Sequence, residues 1–198
     1  MDDDGIAYGP RVALLVVDLQ NDFADPRGSL YVRGGEEVVA VANAHVRRAR
    51  GAGAIVVYTR DWHPSHTPHF AQDGGTWPVH CVAGTWGADF VPDLVVDGPV
   101  VHKGTGGEDG YSGFSVRDPE TGTTSSTELA QLLSAANVQV VVVCGLTTDY
   151  CVKETALDAI RLGYEAIVVS EGVRAVDLHP GDGRRALDAM KRAGVSCR

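Results

Sequence analysis

The stretch Val140-Val141-Val142-Val143-Cys144-Gly145-Leu146-Thr147-Thr148-Asp149-Tyr150-Cys151 decides how this chain folds. Its valine run is apolar at both alternating positions, so the strand it forms is covered on both faces. A helical pattern follows over residues 149–162. Val152, Ala156, Ala159 and Ile160 share one face, Asp149 is set to act as N-cap, and Gly163 stands where a left-handed C-cap belongs. A buried strand thus turns into a helix whose N-terminus carries Cys151. Such an end offers unpaired N–H groups and partial positive charge, which stabilise a thiolate and the oxyanion formed when that thiolate attacks a carbonyl. An isolated cysteine is more often a small core residue. The neighbours of Cys151 give it a chemical role instead.

Working outward, residues 12–17, 54–58, 100–102, 138–144 and 166–169 are short β-branched runs of the same doubly covered kind. Helical patterns separate them at 36–50, 127–136, 149–162 and 183–193. This alternation predicts an α/β fold, a three-layer α/β/α sandwich with a mainly parallel sheet, whose ligands bind beyond the carboxyl ends of the strands. Asp18 ends the first strand, Lys103 ends the third, and Cys151 follows the fourth. On one sheet edge, an aspartate can take a thiol proton and a lysine can hold thiolate and carboxylate in register. Singly, Asp18 would read as a cap and Lys103 as a surface lysine; the shared edge is what joins them.

A second constellation follows the second strand, in Thr59-Arg60-Asp61-Trp62-His63-Pro64-Ser65-His66-Thr67-Pro68-His69, with His80 further on. Imidazoles with a carboxylate form a ligand set for zinc, iron or manganese. Pro64 and Pro68 exclude a regular helix, so Asp61 and His63 converge from an extended segment in which alternate side chains share a face. A polar loop with exposed histidines is the plainer reading for any one of them. Four of the seven histidines fall between positions 63 and 80, which weighs against it.

Composition sets the outer limits. The chain has 198 residues, 44% of them hydrophobic, enough for a sizeable core, and no Pro- or Ser-rich linker divides it. One domain over 1–198 is expected, with 1–10 a flexible acidic start. Seventeen basic against 26 acidic residues give a net charge of −9, and no Lys/Arg cluster tracks phosphates, which argues against nucleic acid as a partner. No apolar run approaches the roughly 18 residues that span a bilayer, and Met1-Asp2-Asp3-Asp4 is the reverse of a basic signal-peptide start, so a soluble cytoplasmic protein is expected. Cys81, Cys144, Cys151 and Cys197 fit neither a metal ribbon nor a disulfide scaffold and are expected to be reduced. Oligomeric state, including a homo-oligomer, is left open. The loop from Gly104 to Gly110 lacks the glycine that a dinucleotide fingerprint needs at Asp109 and reads as a mobile loop; Gly110-Tyr111-Ser112-Gly113-Phe114 likewise misses the last glycine of a serine nucleophile elbow.

Four of these segments together resemble the nicotinamidase branch of the isochorismatase-like cysteine hydrolases, over about Val12 to Val195. They are Val17-Asp18-Leu19-Gln20-Asn21-Asp22-Phe23 with Gly28-Ser29-Leu30; Asp61-Trp62-His63; Trp77-Pro78-Val79-His80-Cys81-Val82-Ala83-Gly84-Thr85; and Gly145-Leu146-Thr147-Thr148-Asp149-Tyr150-Cys151-Val152. The resemblance implies a catalytic triad of Asp18, Lys103 and Cys151. It implies a divalent metal (Zn, Fe or Mn) on Asp61, His63 and His80, with His69 as a fourth ligand and His66 as an extra histidine. It also implies a cis peptide at Leu146-Thr147, an oxyanion hole from the N–H groups of Thr147 and Cys151, and an aromatic-ring site at Phe23, Trp77 and Tyr111. The implied reaction is hydrolysis of nicotinamide, a small-molecule carboxamide, to nicotinate and ammonia, with pyrazinamide also accepted. The rivals are an amidohydrolase for carbamoyl or maleamate-type substrates, a vinyl-ether hydrolase, and a noncatalytic ligand-binding relative.

Overall fold

The computed structural model describes residues 4–198. In chain order its elements are β1 (Val12–Val17), α1 (Asn21–Ala24), α2 (Gly35–Gly51), β2 (Ile55–Asp61), β3 (Val100–Lys103), β4 (Ser115–Arg117), β5 (Thr124–Ser126), α3 (Leu129–Ala135), β6 (Val140–Leu146), α4 (Cys151–Arg161), β7 (Glu165–Arg174), α5 (Asp182–Arg192) and β8 (Ser196–Cys197). Six strands form one sheet in the order β3-β2-β1-β6-β7-β8, every neighbouring pair parallel. β4 and β5 make a separate antiparallel pair. The strand order reverses between β1 and β6, and in an open parallel sheet the crevice at such a reversal is where ligands bind.

Continuous apolar strands are explained by what covers each face. Leu14, Val16, Val142 and Cys144 face one layer with Val38, Ala42 and Val46 of α2. Their alternates Ala13, Leu15, Val17, Val141 and Val143 face the other, with Leu129 and Leu133 of α3, Val152 and Ala156 of α4 and Met190 of α5. Burying one such valine or leucine contributes about 1.5–3 kcal/mol, so neither face of β1 or β6 tolerates a polar residue. This is the three-layer α/β arrangement that the alternation of patterns predicts.

Several local expectations are corrected. β7 runs five residues beyond the expected end at 169, because after a register shift opposite Val143 and Gly145 it pairs again through Val173 and Arg174. Asp149 is not the N-cap of α4. That position falls to Tyr150, without a side-chain cap, while the Asp149 carboxylate accepts the N–H groups of Val176 and Asp177 and pins the chain after β7. The glycine loop, expected to be mobile, is tied down: Gly107 O accepts from Thr67 Oγ1 at 2.5 Å, Gly110 O accepts from Lys103 Nζ, and Asp109 pairs with Arg117 through both backbone groups. The acidic start also packs from Asp4 onward, where Arg48 donates to Asp4 at 2.5 and 2.9 Å and Ile6 is buried. Residues 1–3 lie outside the described residues. All four cysteines are free thiols, and no helix among the described residues is long and apolar enough to cross a membrane.

Candidate active site

The carboxyl ends of β1, β2, β3 and β6 deliver Asp18, Asp61, Lys103 and, one turn later, Cys151 to the same crevice. Leaving β1, the backbone at Asp18 takes φ 49°, a left-handed conformation that aspartate tolerates better than most residues. On β6 the corresponding device is Gly145 at φ 118°, where a β-carbon would collide with the backbone oxygen of Val17. The Leu146-Thr147 peptide is cis, as the resemblance implies.

Lys103 is the hub. Its Nζ, fully buried, donates to Asp18 Oδ2 at 2.8 Å, to Asp61 Oδ1 at 2.5 Å and to Gly110 O, and lies 3.8 Å from Cys151 Sγ. Polar atoms of Asp18, Asp61 and Cys151 all fall within 4.8 Å of one another. Burial would lower the lysine, but the carboxylates of Asp18 and Asp61 outweigh it and hold Lys103 well above its ordinary value. It is a permanent cation. Burial raises Asp18 despite the lysine beside it. Asp61 is instead held well below the carboxylate range, since Lys103 and His63 outweigh its burial.

At Cys151 the helix end, which favours a thiolate, meets an opposing environment. Burial pushes its thiol well above the ordinary value, Lys103 pulls it back, and the carboxylates of Asp18 and Asp61 raise it again. At rest the sulfur keeps its proton, and a nearby base has to remove it.

Beside this group, His63, His69 and His80 bring ring nitrogens within 4.8 Å of one another, all three buried. Asp61 Oδ2 lies 3.8 Å from His63 Nε2 and 4.0 Å from His80 Nε2, beyond hydrogen-bond reach. Neither nitrogen of His63 has a hydrogen-bond partner. His80 Nδ1 sits 2.7 Å from Pro78 O and donates to it, leaving Nε2 as the free lone pair; burial first, against the pull of Asp61, lowers this imidazole to about 4, so it is neutral. Unpartnered buried imidazole nitrogens facing a carboxylate oxygen are what a cation would satisfy. His66 is excluded from the cluster, exposed and paired with Asp73.

The supporting residues were less visible in the sequence. Gln20, fully buried, clamps the end of β2: its Nε2 donates to Asp61 O and Ala88 O, and its Oε1 accepts the Asp61 N–H. Thr59 Oγ1 donates to Asp18 Oδ1 at 2.6 Å. Asp22 accepts the N–H groups of Ser29 and Cys81, and the Cys81 segment is bonded to His63 on both sides. Asp109 Oδ1 lies 2.6 Å from His69 Nδ1 and orients that ring. Gln20 and Asp22 stand inside a quoted motif and Thr59 and Asp109 beside one, but no spacing says which atom each of them holds; only the fold shows that.

Cys151, Thr147, Asp61, His69 and His80 line one cleft. Its apolar walls are Phe23, Leu30, Trp77, Tyr111, Tyr150 and Val176. Phe23, Trp77 and Tyr111 are the three proposed ring-binding residues, and Trp77 Nε1 donates to the Tyr111 hydroxyl at 2.7 Å. Tyr150, which sequence reasoning missed, stands edge-on to Trp77 with ring centroids 4.8 Å apart.

The family model of the isochorismatase domain matches residues 12–197. The chain is 37% identical over 205 residues to the nicotinamidase of Escherichia coli K12, covering 94% of each protein. Among solved structures it is similar to the pyrazinamidase of Pyrococcus horikoshii in complex with zinc, with TM-score 0.84, 40% identity, and 96% and 99% of the two chains covered. It is also similar to an L. infantum protein in complex with nicotinate, with TM-score 0.87, 33% identity and 98% and 95% covered. Since the matched span runs from the first strand of the sheet to its last and holds every side chain of the cleft, the chain belongs to the isochorismatase family.

Proposed function

We propose that the protein is a metal-containing nicotinamidase that hydrolyses nicotinamide to nicotinate and ammonia through a Cys151 thioester, and that it accepts pyrazinamide. The observation that carries this reading is the position of Lys103 Nζ, bonded to Asp18 and Asp61 and 3.8 Å from Cys151 Sγ, so that nucleophile, base and imidazole cluster form one unit. The E. coli relative and the nicotinate and zinc complexes support the substrate and the ion.

Asp18 accepts the Sγ proton as sulfur forms a bond to the carboxamide carbon, and the carbonyl electron pair moves onto oxygen. Its raised affinity for protons suits that exchange, and the cationic Lys103 offsets the charge that moves from sulfur to oxygen. The N–H groups of Thr147 and Cys151 hold the oxyanion; the Cys151 N–H, at the start of α4, has no intrahelical acceptor. When the C–N bond breaks, Asp18 returns the proton to nitrogen and ammonia leaves. Water then attacks the thioester, Asp18 takes its proton, the C–S bond breaks, and the thiol is restored. Asp61, His63, His80 and His69 would hold the divalent ion, which when bound supplies a positive centre for the ring nitrogen, directly or through water. Phe23, Trp77 and Tyr111 grip the ring.

Paired assays test this. The purified protein should carry about one divalent ion per chain, lost in His63→Ala. Chelation should depress nicotinamide hydrolysis, and benzamide, which lacks the ring nitrogen, should be a poor substrate for the metal-loaded enzyme. Metal-free protein with undiminished activity, or equal kcat/KM for the two amides, would leave a metal-independent amidohydrolase as the better reading.

A further inference from the structure

Thr147 carries a feature the reaction above does not use. Its hydroxyl oxygen is buried and has no hydrogen-bond partner, although the residue is only 4% exposed. Three other buried threonines differ. Thr59 donates to Asp18, Thr67 donates to Gly107 O, and Thr155 Oγ1 accepts the Gly113 N–H. A buried hydroxyl without a partner destabilises the resting protein, so one that persists in a cleft wall calls for a partner that arrives with the ligand. Thr147 lines the cleft together with Cys151. Its backbone is fixed, since its carbonyl accepts the N–H groups of both Tyr150 and Val152.

We infer that the Thr147 hydroxyl is a third donor to the oxyanion, alongside the N–H groups of Thr147 and Cys151. The inference rests on the thioester reading of this site. The nitrogen and Oγ1 of one threonine hang from adjacent carbons, so both can converge on a single ligand oxygen. A neutral hydroxyl gains most when that oxygen becomes an anion, which makes the contact stronger in the tetrahedral intermediate than in bound amide. Thr147 is then a catalytic residue through its side chain as well as its backbone.

The test compares Thr147→Val, which keeps the shape and loses the hydroxyl, with Thr147→Ser, which keeps the hydroxyl. Valine should lower kcat for nicotinamide by about 100-fold, the typical effect of removing one oxyanion donor, with a thermal midpoint equal to or above that of the parent; serine should recover most of the rate. Binding gives a second readout. Pyridine-3-carbaldehyde adds to Cys151, with the thiol proton passing to Asp18, sulfur bonding to carbon and the carbonyl electron pair moving to oxygen, so its adduct presents the oxygen in question, whereas nicotinate adds no bond. Thr147→Val, or Thr147→Ala should valine fail to fold, is expected to weaken the aldehyde at least tenfold more than nicotinate. Unchanged kcat or equal loss for both ligands would overturn the inference and leave the nicotinamidase reading standing. Conversely, a parent that releases no ammonia from nicotinamide but whose aldehyde adduct is weakened by valine would keep the inference and remove the substrate. A parent that forms no adduct would overturn both.

Discussion

Asp18 shows how much one side chain is asked to do at the crevice. Its carboxylate accepts from Lys103 and Thr59, lies within 4.8 Å of the Cys151 sulfur, and hangs from left-handed backbone. Asp18→Asn keeps the shape and removes the base, so kcat should fall about 100-fold or more. It also strips one carboxylate from a buried lysine. Breaking a buried pair costs about 3–5 kcal/mol, and the loss here should be smaller because Asp61 still holds Lys103. Steady-state kinetics with thermal melts read both effects; a variant with near-normal kcat would make Asp18 a strand-end cap. The identity of the ionisable residues was legible in the sequence because chemistry restricts which types can serve. Their ionisation was not. Helix-end reasoning alone favours a thiolate at Cys151, whereas burial beside two carboxylates raises the thiol, a balance that only the packed environment sets.

Among the elements, the turn from β6 into α4 carries the strictest demand. Gly145 combines φ 118° with an approach to Val17 O that leaves no room for a β-carbon. Gly145→Ala should destabilise the fold by about 1–3 kcal/mol and displace the segment bearing Thr147 and Cys151, with loss of activity exceeding the loss of folded protein at assay temperature. Circular dichroism melts and ammonia assays on one preparation separate the two, and an alanine variant with parental melting and rate would contradict the account. The doubly apolar runs of β1 and β6 were readable because burial on both faces writes itself into every residue. The continuation of β7 through Ser170-Glu171-Gly172 was not, since only pairing with β6 beyond the register shift makes it a strand. The same holds for Asp149, whose short carboxylate reads as a cap until the chain after β7 arrives to claim it.

At the scale of the whole molecule, strand order is the feature the sequence left unspoken: alternating patterns predict a parallel sheet, but the reversal between β1 and β6 depends on contacts far apart in the chain. The N-terminal segment is fastened similarly. Arg48 of α2 donates to Asp4 and to Ile6 O, and this hydrogen-bonded pairing holds the Asp4 carboxyl at about 2, below its ordinary 3.8. A depressed carboxyl contributes stability above its unfolded value and loses it as pH falls toward the folded one. Asp4→Asn should therefore cost up to about 1 kcal/mol at neutral pH, the scale of a solvent-accessible pair, and the gap between parent and variant should close between about pH 4 and pH 2. Denaturant titrations across that range check it; a gap that is constant with pH would assign the effect to packing instead.

The central claim is that Cys151 attacks a carboxamide held in this crevice, and the release of ammonia from nicotinamide by the parent protein and by Cys151→Ala tests it most directly. The parent should yield ammonia and nicotinate in equal amounts, and the variant, which loses only the nucleophile and keeps a small side chain in the turn, should be folded and without measurable turnover. Turnover that survives in Cys151→Ala, or a parent that converts no nicotinamide at all, would contradict the account.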